Sequence, residues 1–133
     1  MAGRQMIKQG KGGRLIGAPS VSGKRGFPML STYSANKFFV RGITQAAAIE
    51  FGSHGITVNS YAPGLIETDM MREMVDQLNG KSSWVAKCAS ATAVKRNGYP
   101  EDIAHLVSYL ASEQSGFVTG QSINANEGYV AYD

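Results

Sequence analysis

The chain has 133 residues, the size of one domain, and its apolar fraction of 43% and charged fraction of 17% are typical of a soluble globular protein. No apolar run approaches about 18 residues, so a membrane-spanning helix is excluded, and the N-terminus lacks the apolar segment of a secretory signal. Cys88 is the single cysteine, so no intramolecular disulfide can form. We therefore expect a reducing compartment and a cytoplasmic protein.

The charge is distributed unevenly around a formal net value of +3. Residues 1–49 carry eight Lys or Arg and no acid, whereas residues 50–133 carry five basic and ten acidic residues. A basic segment can indicate nucleic-acid binding. Here, however, the basic residues are scattered among glycines without interleaved aromatic residues, so we predict no nucleic-acid partner. The sequence predicts no metal site either.

The chain begins with what reads as the last turns of a helix at residues 5–9. The glycines from Gly10 to Gly13 end this helix, because glycine adopts the positive φ of a C-cap or tight turn. Residues 14–18 are predicted to form a short buried strand, which Pro19 ends because proline has no N–H to donate. A phosphate-binding loop follows a strand, so the glycine run before this strand cannot be one.

The pattern then predicts a helix over 32–52 with Ser31 or Thr32 as its cap. Its apolar residues at helical spacing would face a sheet, namely Val40, Ile43, Ala47 and Phe51. A second strand follows at 56–61 and is closed by Pro63 and Gly64. A strand–helix–strand unit of this kind implies a parallel pair with a right-handed crossover.

Downstream, Thr68 or Asp69 is predicted to cap a helix that Asn79 and Gly80 end. Its apolar residues are Met70, Met71, Met74, Val75 and Leu78, and they fit either plain core or an adaptable pocket wall. Another helical turn is expected to begin at Trp84. Pro100 suits the first position of a later helix, whose buried stripe would be Ile103, Leu106, Val107 and Leu110. The last predicted strand covers 122–125.

One pair of residues points to chemistry. Tyr33 and Lys37 are four residues apart, so they share one face of the predicted helix. An ammonium close to a phenol favours the phenolate, which would suit Tyr33 to acid/base work. Ser20 lies just beyond the first strand, where its hydroxyl could hydrogen-bond a carbonyl oxygen. The alternative is an ordinary helix surface on which a lysine extends to solvent.

These residues resemble the short-chain dehydrogenase/reductase family. Ser20, Tyr33 and Lys37 match its Ser…Tyr-x-x-x-Lys motif in order and spacing. The segment 56–59, followed by Pro63, Gly64 and Thr68, matches another family segment, as does Pro-Glu-Asp-Ile-Ala at 100–104. The resemblance implies an α/β fold, a partial Rossmann-like doubly wound parallel sheet. It implies that residues 1–133 are a C-terminal portion holding the last three of seven strands, without the dinucleotide-binding half.

The resemblance also implies an NAD- or NADP-dependent oxidoreductase that interconverts a carbonyl and a secondary alcohol. Ser20, Tyr33 and Lys37 would be catalytic. The nicotinamide cofactor would contact Tyr33 and Lys37 as well, together with Pro63, Gly64, Ile66 and Thr68. Within the family the chain is most similar to acetoin/diacetyl reductases, with 3-oxoacyl-carrier-protein reductases as another substrate class.

Further expectations concern assembly and the departures from the family pattern. The family's equivalent of the helix at 32–52 is commonly part of a subunit interface, so the resemblance implies a homo-oligomer. The region around 69–88 would be the substrate lid. Pro19 stands where relatives have a small polar residue, and Asn126 and Glu127 stand where they have Asp-Gly. Because the phosphate loop is missing, we expect the isolated chain to bind cofactor weakly and to be inactive. The alternative is a non-catalytic remnant or interaction module that keeps only the family's dimerising surface.

Overall fold

A computed structural model describes residues 2–77 and 82–129. Five helices and three strands are found in that part of the chain. The helices are α1 (Ala2–Gln9), α2 (Ser31–Phe51), α3 (Asp69–Gln77), α4 (Ser82–Ala91) and α5 (Pro100–Ala111). The strands are β1 (Gly13–Gly17), β2 (Ile56–Pro63) and β3 (Ser122–Ala125). The expected helix end at Leu78, Asn79 and Gly80 lies outside the described residues.

The strands form one parallel sheet in the order β1-β2-β3. Gly13 pairs with Ile56 at the start of β1, and Ser60 pairs with Ser122 at the start of β3. This arrangement confirms the predicted parallel pair and the last strand. β1 begins one residue before the predicted start, because the Gly13 N–H already donates to the Gly55 carbonyl at 3.3 Å.

Helices cover both faces of the central strand. Residues 56–60 of β2 are all buried, and both α2 and α5 pack against this strand. Since successive strand residues point to opposite faces, continuous burial requires cover on each side. The fold is therefore α/β with a doubly wound parallel sheet, as predicted. Within the described residues, β1 pairs only with β2, so its other edge is open.

The apolar core lies between α2, α1 and the sheet. Its buried centre is formed by Ala48, Ile56 and Val58, and the residues packed around it are Met6, Ile7, Leu15, Ala47 and Phe51. At the opposite face, Leu110 of α5 is fully buried. Ile103, Leu106 and Val107 are partly buried on the same helix, so the predicted stripe of α5 is confirmed.

Two expectations about α2 were wrong. Neither Ser31 nor Thr32 caps the helix, because the Leu30 carbonyl already accepts the first helical bond from the Ser34 N–H at 2.7 Å. Ile43 does not face the sheet either, since 51% of its surface is exposed.

The buried face of α2 is instead centred on Ser34, Thr44 and Ala48. Thr44 tolerates burial because its hydroxyl donates to the Val40 carbonyl at 2.8 Å. Val40 and Thr44 both lie over Gly17, where a Cβ atom would meet Val40 Cγ1 at 3.1 Å. Packing of α2 onto this glycine turns the helix about its axis and leaves Ile43 outside.

The two later helices begin as predicted. Thr68 Oγ1 accepts the Met71 N–H at 3.4 Å and thereby caps α3, whereas Asp69 is the first residue of the helix. Pro100 is the first residue of α5, and Asp102 Oδ2 accepts the Tyr99 N–H at 2.8 Å. Among the described residues, no helix combines the length and apolar character that crossing a membrane requires.

Candidate active site

Ser20 follows β1 in a strained backbone conformation. Its φ of 76° and ψ of 163° belong to a region that residues other than glycine rarely adopt. The preceding Pro19 is buried, and Ser20 begins a 3-10 turn over Val21–Gly23. Ser20 Oγ accepts the Ser22 N–H at 3.3 Å, which uses a lone pair and leaves the hydroxyl proton available for another acceptor. Strain of this kind is concentrated at functional sites.

Lys37 connects α2 to the end of β1. Its ammonium donates to the Ala18 carbonyl at 2.9 Å, two residues before Ser20. The same Nζ atom lies 5.3 Å from the centre of the Tyr33 ring, which is within cation–π distance. One side chain thus touches both the helix turn that carries Tyr33 and the strand end that leads to Ser20.

Tyr33 lies in the first turn of α2, and 45% of its surface is exposed. A ring on the first turn is near the C-terminal edge of the sheet, because α2 returns antiparallel to the strands. Ser20 leaves β1 at that edge as well. The fold therefore brings the ends of the predicted Ser…Tyr-x-x-x-Lys motif to one edge of the sheet, although thirteen positions separate Ser20 from Tyr33.

Gly23 allows the turn after Ser20 to contact the helix. A Cβ atom on Gly23 would lie 2.6 Å from the Lys37 carbonyl oxygen and 2.9 Å from its carbonyl carbon. Any side chain would therefore push the 3-10 turn away from α2. Sequence reasoning did not assign this role to Gly23. Its position three residues after Ser20 was the available signal, but a close backbone approach appears only in three dimensions.

The predicted cofactor contacts lie beyond the end of β2. Pro63 is the last residue of this strand and pairs with Ala125, and the Gly64 N–H donates to the Ala125 carbonyl at 3.2 Å. Because β1 and β2 are adjacent and parallel, Pro63 and Gly64 leave the sheet at the same edge as Ser20. That edge is where open α/β sheets bind ligands.

Ile66 and Thr68 continue this loop, which is fixed on its far side by Gly98. Ile66 forms a bridge with Gly98, whose N–H donates to the Leu65 carbonyl at 2.9 Å. Thr68 Oγ1 also lies 3.4 Å from the Ile66 carbonyl while it caps α3. Hydrogen bonds thus hold the loop from Gly64 to Thr68 in one conformation, whereas the sequence indicated only a turn.

A carboxylate packs against the same loop. Glu127 adopts a φ of 55°, and its Oε2 atom is buried without a hydrogen-bond partner in the part of the chain that the structure describes. A Cβ atom on Gly64 would lie 2.6 Å from Oε2, and one on Gly98 would lie 2.5 Å from Oε1. The two glycines therefore make room for the Glu127 carboxylate. The resemblance to the family predicts glycine at position 127. The Glu127 carboxylate between Gly64 and Gly98 is therefore a departure from that pattern.

Electrostatics around Glu127 follow from its surroundings. Burial raises the pKa of Glu127, although the nearby positive charge of Arg96 acts in the opposite direction. Arg96 makes a bidentate pair with Asp102, with N···O distances of 2.7 and 2.9 Å. That pair lowers the pKa of Asp102 to about 2, chiefly through the Arg96 hydrogen bonds. Within residues 2–77 and 82–129, no cluster of three His, Cys, Asp or Glu side chains is arranged for a metal ion.

Asn59 is a second residue whose role the sequence did not reveal. This fully buried side chain donates to the Val118 carbonyl at 2.7 Å and accepts the Gln121 N–H at 3.1 Å. The nearby Val58 N–H donates to Thr119 Oγ1 at 3.0 Å. Asn59 thus fastens the 118–121 loop to β2, and its part in the site is to support the strand.

Comparisons with known proteins indicate one family. A family model described as enoyl-(acyl carrier protein) reductase matches residues 1–130. A short-chain dehydrogenase/reductase from Armillaria gallica is 47% identical over 130 residues, covering 97% of this chain and 50% of that protein. An L-2,3-butanediol dehydrogenase from Corynebacterium glutamicum is 46% identical, with 90% and 48% covered. A diacetyl reductase, (S)-acetoin forming, from Staphylococcus aureus is 39% identical, with 96% and 51% covered.

Solved structures have the same fold. The acetoin dehydrogenase YohF from Salmonella typhimurium superposes with a TM-score of 0.81 at 34% identity, covering 99% of this chain and 48% of the other. ElxO with NADP bound gives a TM-score of 0.86 at 30% identity, with 98% and 51% covered.

The chain spans about half the length of the curated relatives that it matches. The match to the family model nevertheless extends over nearly all of its residues. The relatives named for diacetyl and acetoin are consistent with the subgroup that the sequence indicated. This chain belongs to the short-chain dehydrogenase/reductase family.

Proposed function

We propose that this chain is the C-terminal, catalytic portion of an NAD(P)-dependent oxidoreductase that interconverts a small carbonyl compound and its secondary alcohol. The substrate class is diacetyl, acetoin or a similar vicinal oxygenated compound. Support for this class comes from the relatives named for 2,3-butanediol, diacetyl and acetoin. As in the sequence interpretation, 3-oxoacyl substrates are the second class.

The observation that carries the proposal is the position of Lys37. Its ammonium is bonded to the Ala18 carbonyl at 2.9 Å and lies 5.3 Å from the Tyr33 ring centre. A positive charge beside the phenol stabilises the phenolate that forms when Tyr33 gives its proton to a carbonyl oxygen.

Each residue then has a chemical role. Ser20 donates a hydrogen bond from its hydroxyl to the substrate carbonyl oxygen and holds that oxygen near Tyr33. Tyr33 transfers a proton to the same oxygen as the alcohol forms, and it takes that proton back in the oxidative direction. Lys37 has two further N–H groups besides the one bonded to Ala18, so it can also bind the hydroxyls of a ribose.

The residues present fit the nicotinamide end of a cofactor. The exposed Lys37 ammonium offers donors, and Pro63, Gly64, Ile66 and Thr68 form a fixed loop at the same edge of the sheet. Bound NAD(P)H supplies the hydride that reduces the carbonyl carbon. A relative solved with NADP bound supports the cofactor class. The dinucleotide-binding half of the domain would bind the remainder of the cofactor.

The test uses the full-length protein that contains this chain. We expect it to oxidise NAD(P)H in the presence of diacetyl, and Tyr33→Phe to lower turnover at least about 100-fold, because the ring stays and the proton donor is lost. Tyr61→Phe is the matched control, since it removes a phenol from β2. A Tyr33→Phe variant that retained most of its turnover would overturn the assigned mechanism.

A second candidate is the non-catalytic interaction module. The outer side of α2 favours it, because Phe39, Ile43 and Ile49 are 66%, 51% and 86% exposed and could form a homo-oligomeric interface. Calorimetric titration of the 133-residue chain with NADPH measures how much of the cofactor affinity this portion has alone, and the Tyr33→Phe test in the full-length protein separates the two candidates. We expect weak binding, whereas micromolar binding at one site per chain would show that this portion binds cofactor alone.

A further inference from the structure

A polar cavity of about 410 Å³ lies between α2 and β3, apart from the Tyr33 site. Strand residues and loop residues line one side, and the side chains of α2 line the other. The lining residues are Lys24, Arg41, Gln45, Gly120, Gln121, Ser122 and Asn124. Two of these are cations and three are amides, and no Asp or Glu is among them. The cavity is therefore an electropositive space rich in hydrogen-bond donors.

Two buried polar atoms on β3 have no hydrogen-bond partner among the described residues. They are Ser122 Oγ and Asn124 Oδ1, and both residues line the cavity. The two side chains are two positions apart on the strand, so they point to the same face. Both atoms are shielded from solvent, so a ligand in the cavity would reach them only after the two side chains rotate towards it. The Asn124 amide can also turn by half a rotation and present its NH₂ group instead.

The cations are held in place at this cavity. Lys24 Nζ donates to the Ser122 carbonyl, which ties the loop after the 3-10 turn to β3. Arg41 lies one helical turn beyond Lys37 on α2 and is partly buried, and it too interacts with another group of the chain. An anion would share these cations with the contacts that they already make. Positioned cations lose little side-chain freedom when an anion binds.

We propose that this cavity binds a phosphate group. An arginine fork and a lysine point charge are the usual protein ligands of phosphate oxygens. After rotation towards the cavity, Ser122 and Asn124 would complete the set with neutral donors. This inference is independent of the proposed reductase function, because it uses neither Ser20, Tyr33 nor Lys37.

Two sources share this chemistry, namely inorganic phosphate and a phosphomonoester of a small molecule. The cavity is larger than one phosphate ion, so an ester with a few further atoms would also fit. An apolar ligand is not favoured, because charged groups, amides, a hydroxyl and a glycine form the lining.

Equilibrium dialysis of the 133-residue chain against radiolabelled inorganic phosphate tests the proposal, since it counts bound ions per chain in any association state. We expect one saturable site per chain. Arg41→Gln should weaken binding at least about 10-fold, because a charge-assisted hydrogen bond is lost. Asn124→Asp should weaken it at least as much, since it keeps the side-chain shape and places a negative charge in the cavity.

The matched control is Lys11→Gln. Lys11 is exposed in the turn before β1 and is not a lining residue of the cavity. Its substitution therefore removes one positive charge at a position outside the proposed site. Circular dichroism of each variant checks that the helices are retained. If Lys11→Gln weakened phosphate binding as much as Arg41→Gln, the effect would be one of general charge and the proposed site would be overturned. The absence of saturation at millimolar phosphate would overturn it too. Competition with glycerol 3-phosphate assigns the source: displacement at lower concentration than inorganic phosphate supports an ester, and equal displacement supports the free ion.

Discussion

Gly23 and Lys37 are in backbone contact, and only the absence of a side chain on Gly23 permits it. A Cβ atom there would lie 2.6 Å from the Lys37 carbonyl oxygen. The contact presses the 3-10 turn that begins after Ser20 against the helix that carries Tyr33. The spacing between the hydroxyl and the phenol therefore depends on a residue that has no functional group.

This contact predicts the effect of one methyl group. We expect Gly23→Ala to lower the turnover of the full-length protein at least about 10-fold, because a displacement of about 1 Å in a reacting group can cost more than that. Gly26→Ala is the matched control, since no atom of the described residues lies within 4 Å of a Cβ placed there. Steady-state kinetics with diacetyl compares the two. Similar turnover in both variants would mean that the turn adapts without moving Ser20.

Asn59 allows a prediction about stability. Replacing it with Ala removes both hydrogen bonds to the 118–121 loop and leaves the Val118 carbonyl and the Gln121 N–H without these partners. We expect the free energy of unfolding to fall by about 2–4 kcal/mol, because each buried group left unsatisfied costs about 1–3 kcal/mol. Urea denaturation measures the change, and the exposed Gln114→Ala is the control. A loss below about 1 kcal/mol would indicate that water replaces the amide.

Glu127 predicts a pH dependence. Burial raises its pKa above the ordinary value of 4.5, so the folded state binds a proton more tightly than the unfolded state. The contribution of this group to stability is therefore largest below pH 4.5 and is lost as the pH rises through the folded-state pKa. Glu127→Gln removes the titrating charge and keeps the shape. We expect it to raise the melting temperature at pH 7 by up to about 3 °C and to have less effect at pH 4.

Titration of Asp102 does not affect the melting-temperature comparison above pH 4.5. Its pKa is lowered to about 2 by Arg96, so its contribution to stability is present above its ordinary value of 3.8 and is lost only as the pH falls towards 2. Thermal melts of the Glu127→Gln variant and the unchanged chain at several pH values provide the measurement. A difference in melting temperature that did not change with pH would show that the Glu127 carboxylate is hydrated in solution.

The exposed surfaces predict self-association of the 133-residue chain. β1 has an open edge in the described structure, and α2 exposes Phe39, Ile43 and Ile49. Open strand edges and exposed apolar side chains both favour association. Analytical ultracentrifugation should show oligomers, and Ile49→Lys should lower the average mass. Gln114→Lys adds the same charge at an exposed polar position and should not. A monodisperse monomer with a sharp cooperative melt would contradict this prediction.

The sequence by itself determined the order and type of the elements. Alternating glycine, apolar and proline signals set the limits of β1 and β3 and the start of α5 to within a residue or so, because caps and breakers act locally. The motif of Ser20, Tyr33 and Lys37 was readable because residues four apart on a helix share a face. The family followed from these residues and from the segments around Pro63 and Pro100.

Only the tertiary structure determined the contacts between residues that are distant in the sequence. The rotation of α2 that exposes Ile43 depends on Gly17 of another element, and the Lys37 bond to Ala18 crosses nineteen positions of the chain. The wedge of Glu127 between Gly64 and Gly98, like the burial of Asn59, joins loops that no local pattern relates. Such contacts depend on backbone approach and on the desolvation of single atoms. Those quantities exist only once the chain has packed, so they leave no periodic trace in the sequence.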